Sequence, residues 1–348
     1  MAINVKLLAE ICETAGAPGY EERIRKIVLR EVKKLVDDVS VDNMGNVIAL
    51  KKGKSHKKAM VAAHMDEIGF IVNHIDDNGF LRFTTLGGFD PKTLTAQRVI
   101  VHGKKDLIGV MGSKPIHVMT PEERKKSPEL TDYFIDLGLP KKEVEKYVEV
   151  GNPVTRERTL IEMGDCVNCK SLDNRVSVFI LIEALREIKK PACDIYAVFT
   201  VQEEVGIRGA QVAAHHIEPD FGFGLDTTIA YDVPGAKPEE MVTRLGKGVA
   251  IKVMDSSAIA DARMVEFMKA TARRHKIPWQ PEILIGGGTD TAGIQRMSPR
   301  GAIAGCISIP TRHIHQVIEM AHKNDIRGGI DLLKFSLQEL DTFDWNFK

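Results

Sequence analysis

The sequence predicts an α/β protein that carries a smaller β-rich insert. Amphipathic helical patterns alternate with short apolar runs of strand type near both ends of the chain. Between residues 71 and 161 this alternation gives way to short β-type runs separated by turn residues. Because 348 residues exceed one typical domain of roughly 100 to 200 residues, we expect two domains. We place a discontinuous main domain at residues 1–70 and 162–348 and the insert at residues 71–161.

Helices and strands alternate in the predicted main domain. Residues 21–36 place apolar side chains at helical spacing with charged side chains opposite, which is typical of an amphipathic helix. A turn at residues 42–46 precedes two short apolar runs that we interpret as buried strands. The strands predicted for this domain are 47–50, 59–63, 195–201, 221–225, 249–254 and 302–309. Further helices are predicted at 176–188, 262–275 and 326–340, and strands of the insert at 70–75, 80–83, 98–102 and 107–111.

The charge and cysteine content exclude several classes of protein. Basic and acidic residues balance at 48 each, so no net field favours nucleic acid or an anionic membrane surface as a partner. The five cysteines are too few and too scattered for a secreted disulfide framework, and Cys166 and Cys169 are half a zinc site without a second pair. The first residues lack the pattern of a signal peptide, and no run of ~18 apolar residues occurs. We therefore expect a soluble, cytoplasmic protein.

Histidines and carboxylates follow four of the predicted strands, at the strand ends where open α/β sheets bind their ligands. These residues are His64 and Asp66, Glu203 and Glu204, Asp226, and the pair His313 and His315. Asp173 lies just before the helix at 176–188, where a single aspartate would be explained as a helix N-cap. Together they are oxygen and imidazole donors without a thiolate cluster, which is the ligand set of Zn, Co or Mn.

The adjacent acidic residues Glu203 and Glu204 predict two different roles. Successive side chains near a strand end point in different directions, so both cannot easily bind one ion. One carboxylate can bind metal while the other takes a proton from a water nucleophile, as metal-assisted hydrolysis requires. Asp66 is placed two residues after His64 to hold the second ring nitrogen of that histidine.

Eight segments in order resemble one family, the tetrahedral (TET) aminopeptidases, which are dinuclear metallopeptidases. The segments are AAHMDEIGF, GGFDPKT, SLDNR, TVQEEVGIRGA, GLDTTIA, LGKG, GGGTDTAG and PTRHIH. The resemblance covers nearly the whole chain, including the insert. It implies a three-layer zinc-peptidase catalytic domain with a mixed sheet and an inserted, PDZ-like dimerisation domain. It also implies a homododecamer, a tetrahedral assembly built from dimers.

The same resemblance implies the chemistry of the site. It assigns two divalent ions, Zn²⁺ or Co²⁺, to each subunit. One ion is assigned to His64, Asp173 and Asp226, and the other to Asp173, Glu204 and His315. Glu203 matches the general base and Asp66 the carboxylate that orients the first histidine. The expected activity is release of N-terminal amino acids from peptides with free N-termini, by attack of a hydroxide shared by the ions.

Two departures and two alternative functions accompany this assignment. The family commonly shows Tyr-Ile-His-Ser where this chain has residues 313–316, so His313 could also approach the metal, although His315 matches the motif position. The glycine run at 286–288 lacks the context of a phosphate-binding loop and is interpreted as a close backbone approach to substrate.

The alternatives to an aminopeptidase are a carboxypeptidase or deacylase of the related dinuclear clan, and a catalytically silent self-assembling shell protein. Pocket residues are expected after Asp226, at 256–261 and after Gly288.

Overall fold

The computed structural model describes residues 3–347 and contains one large mixed sheet and one closed barrel. The helices are α1 (Val5–Glu13), α2 (Glu22–Val32), α3 (Lys141–Val144), α4 (Leu172–Glu187), α5 (Arg208–Ile217), α6 (Ala262–Arg274), α7 (Asp290–Met297) and α8 (Lys323–Glu339). The strands are β1 (Asp38–Val41), β2 (Val47–Lys51), β3 (Lys58–His64), β4 (Gly69–Ile75), β5 (Leu81–Leu86), β6 (Arg98–His102), β7 (Asp106–Gly112), β8 (Phe134–Asp136), β9 (Pro153–Arg156), β10 (Ile161–Met163), β11 (Cys166–Cys169), β12 (Asp194–Thr200), β13 (Phe221–Ile229), β14 (Val249–Met254), β15 (Trp279–Ile283), β16 (Ile303–Arg312) and β17 (Glu319–His322).

The large sheet has eleven strands, and its pairing confirms the predicted α/β class with a mixed sheet. Its main order is β1-β2-β12-β3-β13-β16-β17-β11-β10, with β14 paired to β16 and β15 paired to β14. Parallel pairing joins β12, β3, β13 and β16. The carboxyl ends of these four strands therefore lie at the same edge of the sheet, where ligands of such sheets gather.

Helices cover both faces of this sheet. Because side chains alternate along a strand, Val61 and Ala63 of β3 join a large apolar cluster with side chains of α1, α2, α4, α6 and α8. Met60 and Ala62 join a smaller cluster on the opposite face with side chains of α5 and α7. Burial on both faces explains why β3 is a continuous apolar run rather than an alternating one.

Helix α7 approaches β13 too closely for any side chain on the facing residues of that strand. A Cβ at Gly224 would lie 2.0 Å from Thr291 Oγ1, and a Cβ at Gly222 would lie 2.5 Å from Ile294 Cγ2. Glycine at both positions therefore lets α7 pack directly on the strand backbone. This packing brings the first residue of α7, Asp290, to the end of β12, where it accepts a hydrogen bond from Thr200 Oγ1 at 2.5 Å.

Six strands form the closed barrel in the order β4-β5-β8-β7-β6-β9. The barrel encloses its own apolar cluster, which includes Phe70, Phe83 and Ile135. It runs from Gly69 to Arg156, and β10 then rejoins the large sheet beside β11. Most of the segment that the sequence pattern marks as β-rich therefore lies in a sheet separate from the large one.

The structure differs from the sequence-based prediction at several elements. Helices α1, α3, α5 and α7 were not predicted, nor were β1, β8, β9, β10, β11, β15 and β17. The helix predicted at 176–188 begins earlier, at Leu172, and its second and third residues, Asp173 and Asn174, lie outside helical geometry. Asp173 is therefore not a simple helix cap. No helix within residues 3–347 combines the length and the apolar character needed to cross a membrane.

Candidate metal centre

The candidate ligands converge at the carboxyl ends of the parallel strands. His64 is the last residue of β3, Asp226 lies within β13, and Glu203 and Glu204 follow β12. Asp173 lies at the irregular start of α4, and the peptide bond that joins it to Asn174 is cis. His315 lies between β16 and β17. Five segments that are distant in the chain therefore contribute to one site.

The donors form two groups that share one residue. Ligand atoms of His64, Asp173 and Asp226 lie within 4.8 Å of one another, and so do ligand atoms of Asp173, Glu204 and His315. The two oxygens of Asp173 face two different histidines: Oδ1 lies 3.4 Å from His64 Nε2, and Oδ2 lies 3.6 Å from His315 Nε2. A carboxylate in this position could offer one oxygen to each of the two donor groups.

The spacing of the donor atoms fits metal coordination better than direct hydrogen bonding. His315 Nε2 lies 3.4 Å from Glu204 Oε2, and His64 Nε2 lies 3.9 Å from Asp226 Oδ1. Ligand atoms about 2.0 to 2.1 Å from a tetrahedral ion are roughly 3.3 Å apart, whereas hydrogen-bonded atoms are closer. Glu204 Oε1 is also buried without a hydrogen-bond partner among the described residues, which is costly for a carboxylate unless a cation faces it.

The electrostatics of the cluster also favour a bound cation. Burial raises the pKa of Glu203, Glu204 and Asp226 well above the usual range of a carboxyl group. The charge of Asp173 raises the pKa of Glu204 and Asp226 further. Burial alone would lower the pKa of His64, but the neighbouring carboxylates, first Asp173, outweigh it and raise that pKa well above its usual value. Cations relieve this mutual repulsion and keep the carboxylates ionised.

Glu203 lies beside the donor groups without belonging to either of them. Its Oε2 is 3.8 Å from His64 Nε2, and its side chain is about 10% exposed and lines the same cavity. Glu204, the next residue, belongs to the second donor group. The two adjacent glutamates thus occupy different positions, as their roles as base and ligand would require.

Asp66 contacts both the histidine and the glutamate segment. The ring nitrogen Nδ1 of His64 lies 3.2 Å from the Asp66 carbonyl oxygen and 3.5 Å from Asp66 Oδ1, so the carbonyl is the closer partner. The two carboxylate oxygens of Asp66 instead accept hydrogen bonds from the backbone N–H groups of Glu203 and Glu204. The sequence predicted only the contact with His64.

Glu67 is a further residue of the site that the sequence analysis missed. Its carboxylate is fully buried and accepts hydrogen bonds from Lys170 Nζ at 2.6 Å and Ser171 Oγ at 2.5 Å. These bonds hold the turn immediately before Asp173. The sequence did contain a signal, since Glu67 is a second acidic residue beside Asp66 in an otherwise apolar segment. Nothing in the sequence indicated, however, that Lys170 and Ser171 are the partners of Glu67.

A cavity of about 870 Å³ opens onto the donor groups. Its lining beyond the donors is largely apolar and includes Ile229, Ala230, Val233, Leu284 and Ile314. The segments after Asp226 and around Gly288 line it, as predicted, whereas residues 256–261 are absent from the lining. His313 lines the cavity and is exposed, but it belongs to neither donor group.

Comparison with known proteins places this chain in one family. Residues 45–332 match the M42 glutamyl aminopeptidase family. A putative aminopeptidase of Acetivibrio thermocellus is 41% identical over 328 residues, which cover 94% of this chain and 96% of that protein. A TET aminopeptidase from a marine sediment Thaumarchaeota archaeon has 37% identity and a TM-score of 0.94, covering 97% of this chain and 96% of that one. The TET1 peptidase of Pyrococcus horikoshii, which can assemble into a tetrahedron or a large octahedral shell, has 31% identity and a TM-score of 0.87, covering 96% and 99%. The predicted resemblance to the TET aminopeptidases is confirmed, and the chain belongs to the M42 glutamyl aminopeptidase family.

Proposed function

We propose that this metal-dependent aminopeptidase holds two divalent ions, Zn²⁺ or Co²⁺, and releases N-terminal amino acids from peptides with free N-termini. His64, Asp173 and Asp226 would hold one ion, and Asp173, Glu204 and His315 the other. The observation that carries the proposal is Asp173, whose two oxygens face His64 and His315 in two separate donor groups. Imidazole and carboxylate donors without thiolates suit both zinc and cobalt.

The chemistry divides between the ions and the residues around them. When bound, such ions lower the pKa of a water nucleophile and polarise the scissile carbonyl. Glu203 acts as general base: it takes the proton of the attacking water and delivers it to the amine that leaves. Burial raises the pKa of Glu203 above the usual range of a carboxyl group, which makes this carboxylate a stronger base towards the proton of the water. Asp66 fixes the position of Glu203 through its backbone.

The nature of the cavity favours an aminopeptidase over a carboxypeptidase. Recognition of a peptide C-terminus requires a cation that is free to pair with it. Among the described residues that line the cavity, Lys252 is the only lysine or arginine, and its Nζ already pairs with Glu282 at 3.0 Å and Asp255 at 3.2 Å. The lining that the structure describes therefore offers no unpaired lysine or arginine to a substrate carboxylate, and a substrate amine needs none.

Three forms of one peptide test this proposal. The free peptide, its N-acetylated form and its C-amidated form are incubated with the metal-loaded protein, and the released amino acids are measured. We expect acetylation to abolish release and amidation to leave it nearly unchanged. Loss of turnover on amidation alone would support the carboxypeptidase alternative, and no turnover of any form would support the silent shell protein.

We also propose that residues 71–161 form a dimerisation domain of a homododecamer. The barrel has an apolar core of its own, and several apolar side chains on β7 and the segment after it remain exposed. These are Ile108, Val110, Ile116 and Val118. Light scattering coupled to size-exclusion chromatography should give a mass near twelve times the 38.6 kDa of one chain. A monomer at micromolar concentration would contradict the assembly without affecting the assignment of the metal site.

A further inference from the structure

One buried carboxylate holds the backbone of two candidate ligands at the same time. Glu319 lies at the start of β17 and is 1% exposed. Its Oε2 accepts a hydrogen bond from the backbone N–H of Asp173 at 2.9 Å. Its Oε1 accepts one from the backbone N–H of His315 at 2.8 Å. Both carboxylate oxygens are thus used on main-chain groups of residues that belong to the same donor group.

The peptide of His315 is held from its other side by the barrel. Arg156, the last residue of β9, is 2% exposed, and its Nη1 donates a hydrogen bond to the His315 carbonyl oxygen at 3.0 Å. His315 has a φ of 64°, in the left-handed region that a histidine seldom adopts without support. A charged side chain therefore holds each polar group of this residue: the Glu319 carboxylate accepts the N–H, and the Arg156 guanidinium donates to the carbonyl oxygen.

We infer that Glu319 is a positioning residue for the metal centre, with Arg156 as its counterpart, an inference that rests on the proposed function of the site. The pairing of β11 with β17 ends at Cys169 and Glu319, so it includes neither Asp173 nor His315. Glu319 sets the distance between their backbones and so the distance between Asp173 Oδ2 and His315 Nε2, which is 3.6 Å. Ligands held at a fixed separation bind an ion without paying the entropy of ordering, so metal affinity depends on this carboxylate.

Replacement by the amide removes this arrangement with little change in size. In Glu319→Gln one oxygen can still accept an N–H, but the amide NH₂ then faces the second N–H, donor against donor. Both buried N–H groups can no longer be satisfied, so the separation of the two ligands is no longer fixed. We expect the dissociation constant for zinc to rise about 10- to 100-fold, the range seen when groups that support metal ligands are replaced.

Asp325 provides a matched control within the same chain. It is also a buried carboxylate, 1% exposed, and its two oxygens accept the backbone N–H groups of Gly246 at 2.7 Å and Gly248 at 2.9 Å. Its partners lie in the loop before β14 and not in the donor groups. Asp325→Asn should therefore lower the melting temperature as Glu319→Gln does, but leave zinc affinity unchanged.

The measurement is made on metal-free protein, by competition with a zinc-binding dye, and does not need enzymatic activity. Visible absorption of the Co²⁺-loaded protein serves as a second readout, because its bands respond to ligand geometry. Weakened zinc binding and a changed Co²⁺ spectrum in Glu319→Gln, with neither in Asp325→Asn, support the inference. Wild-type affinity and spectrum in Glu319→Gln, or an equal loss in both variants, overturn it.

A second variant keeps the inference testable if Glu319→Gln does not fold. Arg156→Lys retains the positive charge but not the reach and planar geometry of the guanidinium, so the bond to the His315 carbonyl is weakened. A several-fold weaker zinc affinity supports the inference, and unchanged affinity overturns it. Failure of the wild-type protein to bind zinc or cobalt would instead contradict the proposed function, which the dye assay reports separately.

Discussion

Asp66 holds the backbone of Glu203: its Oδ1 accepts the Glu203 N–H at 3.1 Å, and its Oδ2 accepts the next N–H, that of Glu204, also at 3.1 Å. The carbonyl of the same aspartate faces His64 Nδ1 at 3.2 Å. One fully buried residue thus ties the first histidine, the proposed base and a proposed ligand into one unit.

Asp66→Asn should lower activity without removing the ligands themselves. The amide can accept only one of the two N–H groups, so the turn that carries Glu203 and Glu204 loses its fixed position. We expect kcat/KM to fall about 10- to 100-fold in the presence of excess metal. Steady-state kinetics with a chromogenic aminoacyl substrate measures this. A wild-type kcat/KM in a well-folded variant would show that the contact is dispensable.

Glu203→Gln and Glu204→Gln should separate the two adjacent glutamates. Glu203 lies outside both donor groups, so its replacement should leave metal content intact and lower kcat by at least about 100-fold, as expected for loss of a general base. Glu204 belongs to a donor group, so its replacement should reduce the metal content. Elemental analysis and kinetics on both variants check the assignment. The reverse pattern would exchange the two roles.

Removal of the metal should abolish turnover reversibly. Chelation followed by gel filtration should give an inactive chain, and added Zn²⁺ or Co²⁺ should restore hydrolysis. Because the ions bind only the folded chain, an ion at 100 times its dissociation constant should stabilise the protein by about 2.7 kcal/mol, which calorimetry detects as a higher melting temperature. Full activity of a chain shown to be free of metal would refute metal dependence.

The lining of the cavity predicts a preference for substrates with an uncharged N-terminal residue, although the family is named for glutamyl aminopeptidases. Beyond the donor groups its lining is largely apolar, and Lys252 is already paired with Glu282 and Asp255. A charged substrate side chain would lose its hydration there without gaining a partner. We expect leucyl and methionyl substrates to exceed glutamyl and lysyl substrates by about tenfold or more in kcat/KM. A glutamyl or lysyl substrate as the best of the series would contradict this.

Glu21 should make the stability of the metal-free chain depend on pH. Its side chain is buried, and its Oε1 accepts the N–H groups of Gly19 at 2.8 Å and Gln202 at 3.2 Å. Burial, followed by the charge of Asp66, raises the pKa of Glu21 from 4.5 to about 7. Between these values the folded chain binds more protons than the unfolded chain, so the free energy of unfolding falls as pH rises through this window.

Glu21→Gln keeps an oxygen acceptor but cannot ionise, so it should remove this loss. Relative to the wild type, its free energy of unfolding should gain up to about 3 kcal/mol between pH 4.5 and 8. Urea unfolding at several pH values measures the difference. Glu22→Gln, at an exposed position next in the chain, is the control and should show no such gain. Parallel pH profiles for the wild type and Glu21→Gln would disprove the prediction.

The sequence could predict long, strongly patterned elements and missed short ones whose position depends on packing. The helix α6 was predicted to within one residue, because its apolar face is regular and Asp261 caps it. Helix α7 follows a glycine-rich run that resembles a loop. It is placed by its contact with Gly222 and Gly224 of β13, which no local pattern reveals.

The residues that could do the chemistry of this site are recognisable from the sequence. A histidine or carboxylate that closely follows an apolar run is a local feature of the sequence, and His64, Glu203 and Asp226 are all of this kind. Side-chain chemistry and strand spacing are fixed by the residues themselves, so the donor set could be read before any contact was known.

The contacts that hold these donors together depend instead on how distant segments pack. No feature of the sequence indicated a partner for Glu319, yet its carboxylate accepts a hydrogen bond from the backbone N–H of Asp173, 146 positions away in the chain. Arg156 reaches His315 across 159 positions. Such contacts follow from the pairing of distant strands and the closure of the barrel, which depend on the packing of the whole chain and leave no periodic signal in the segments they join.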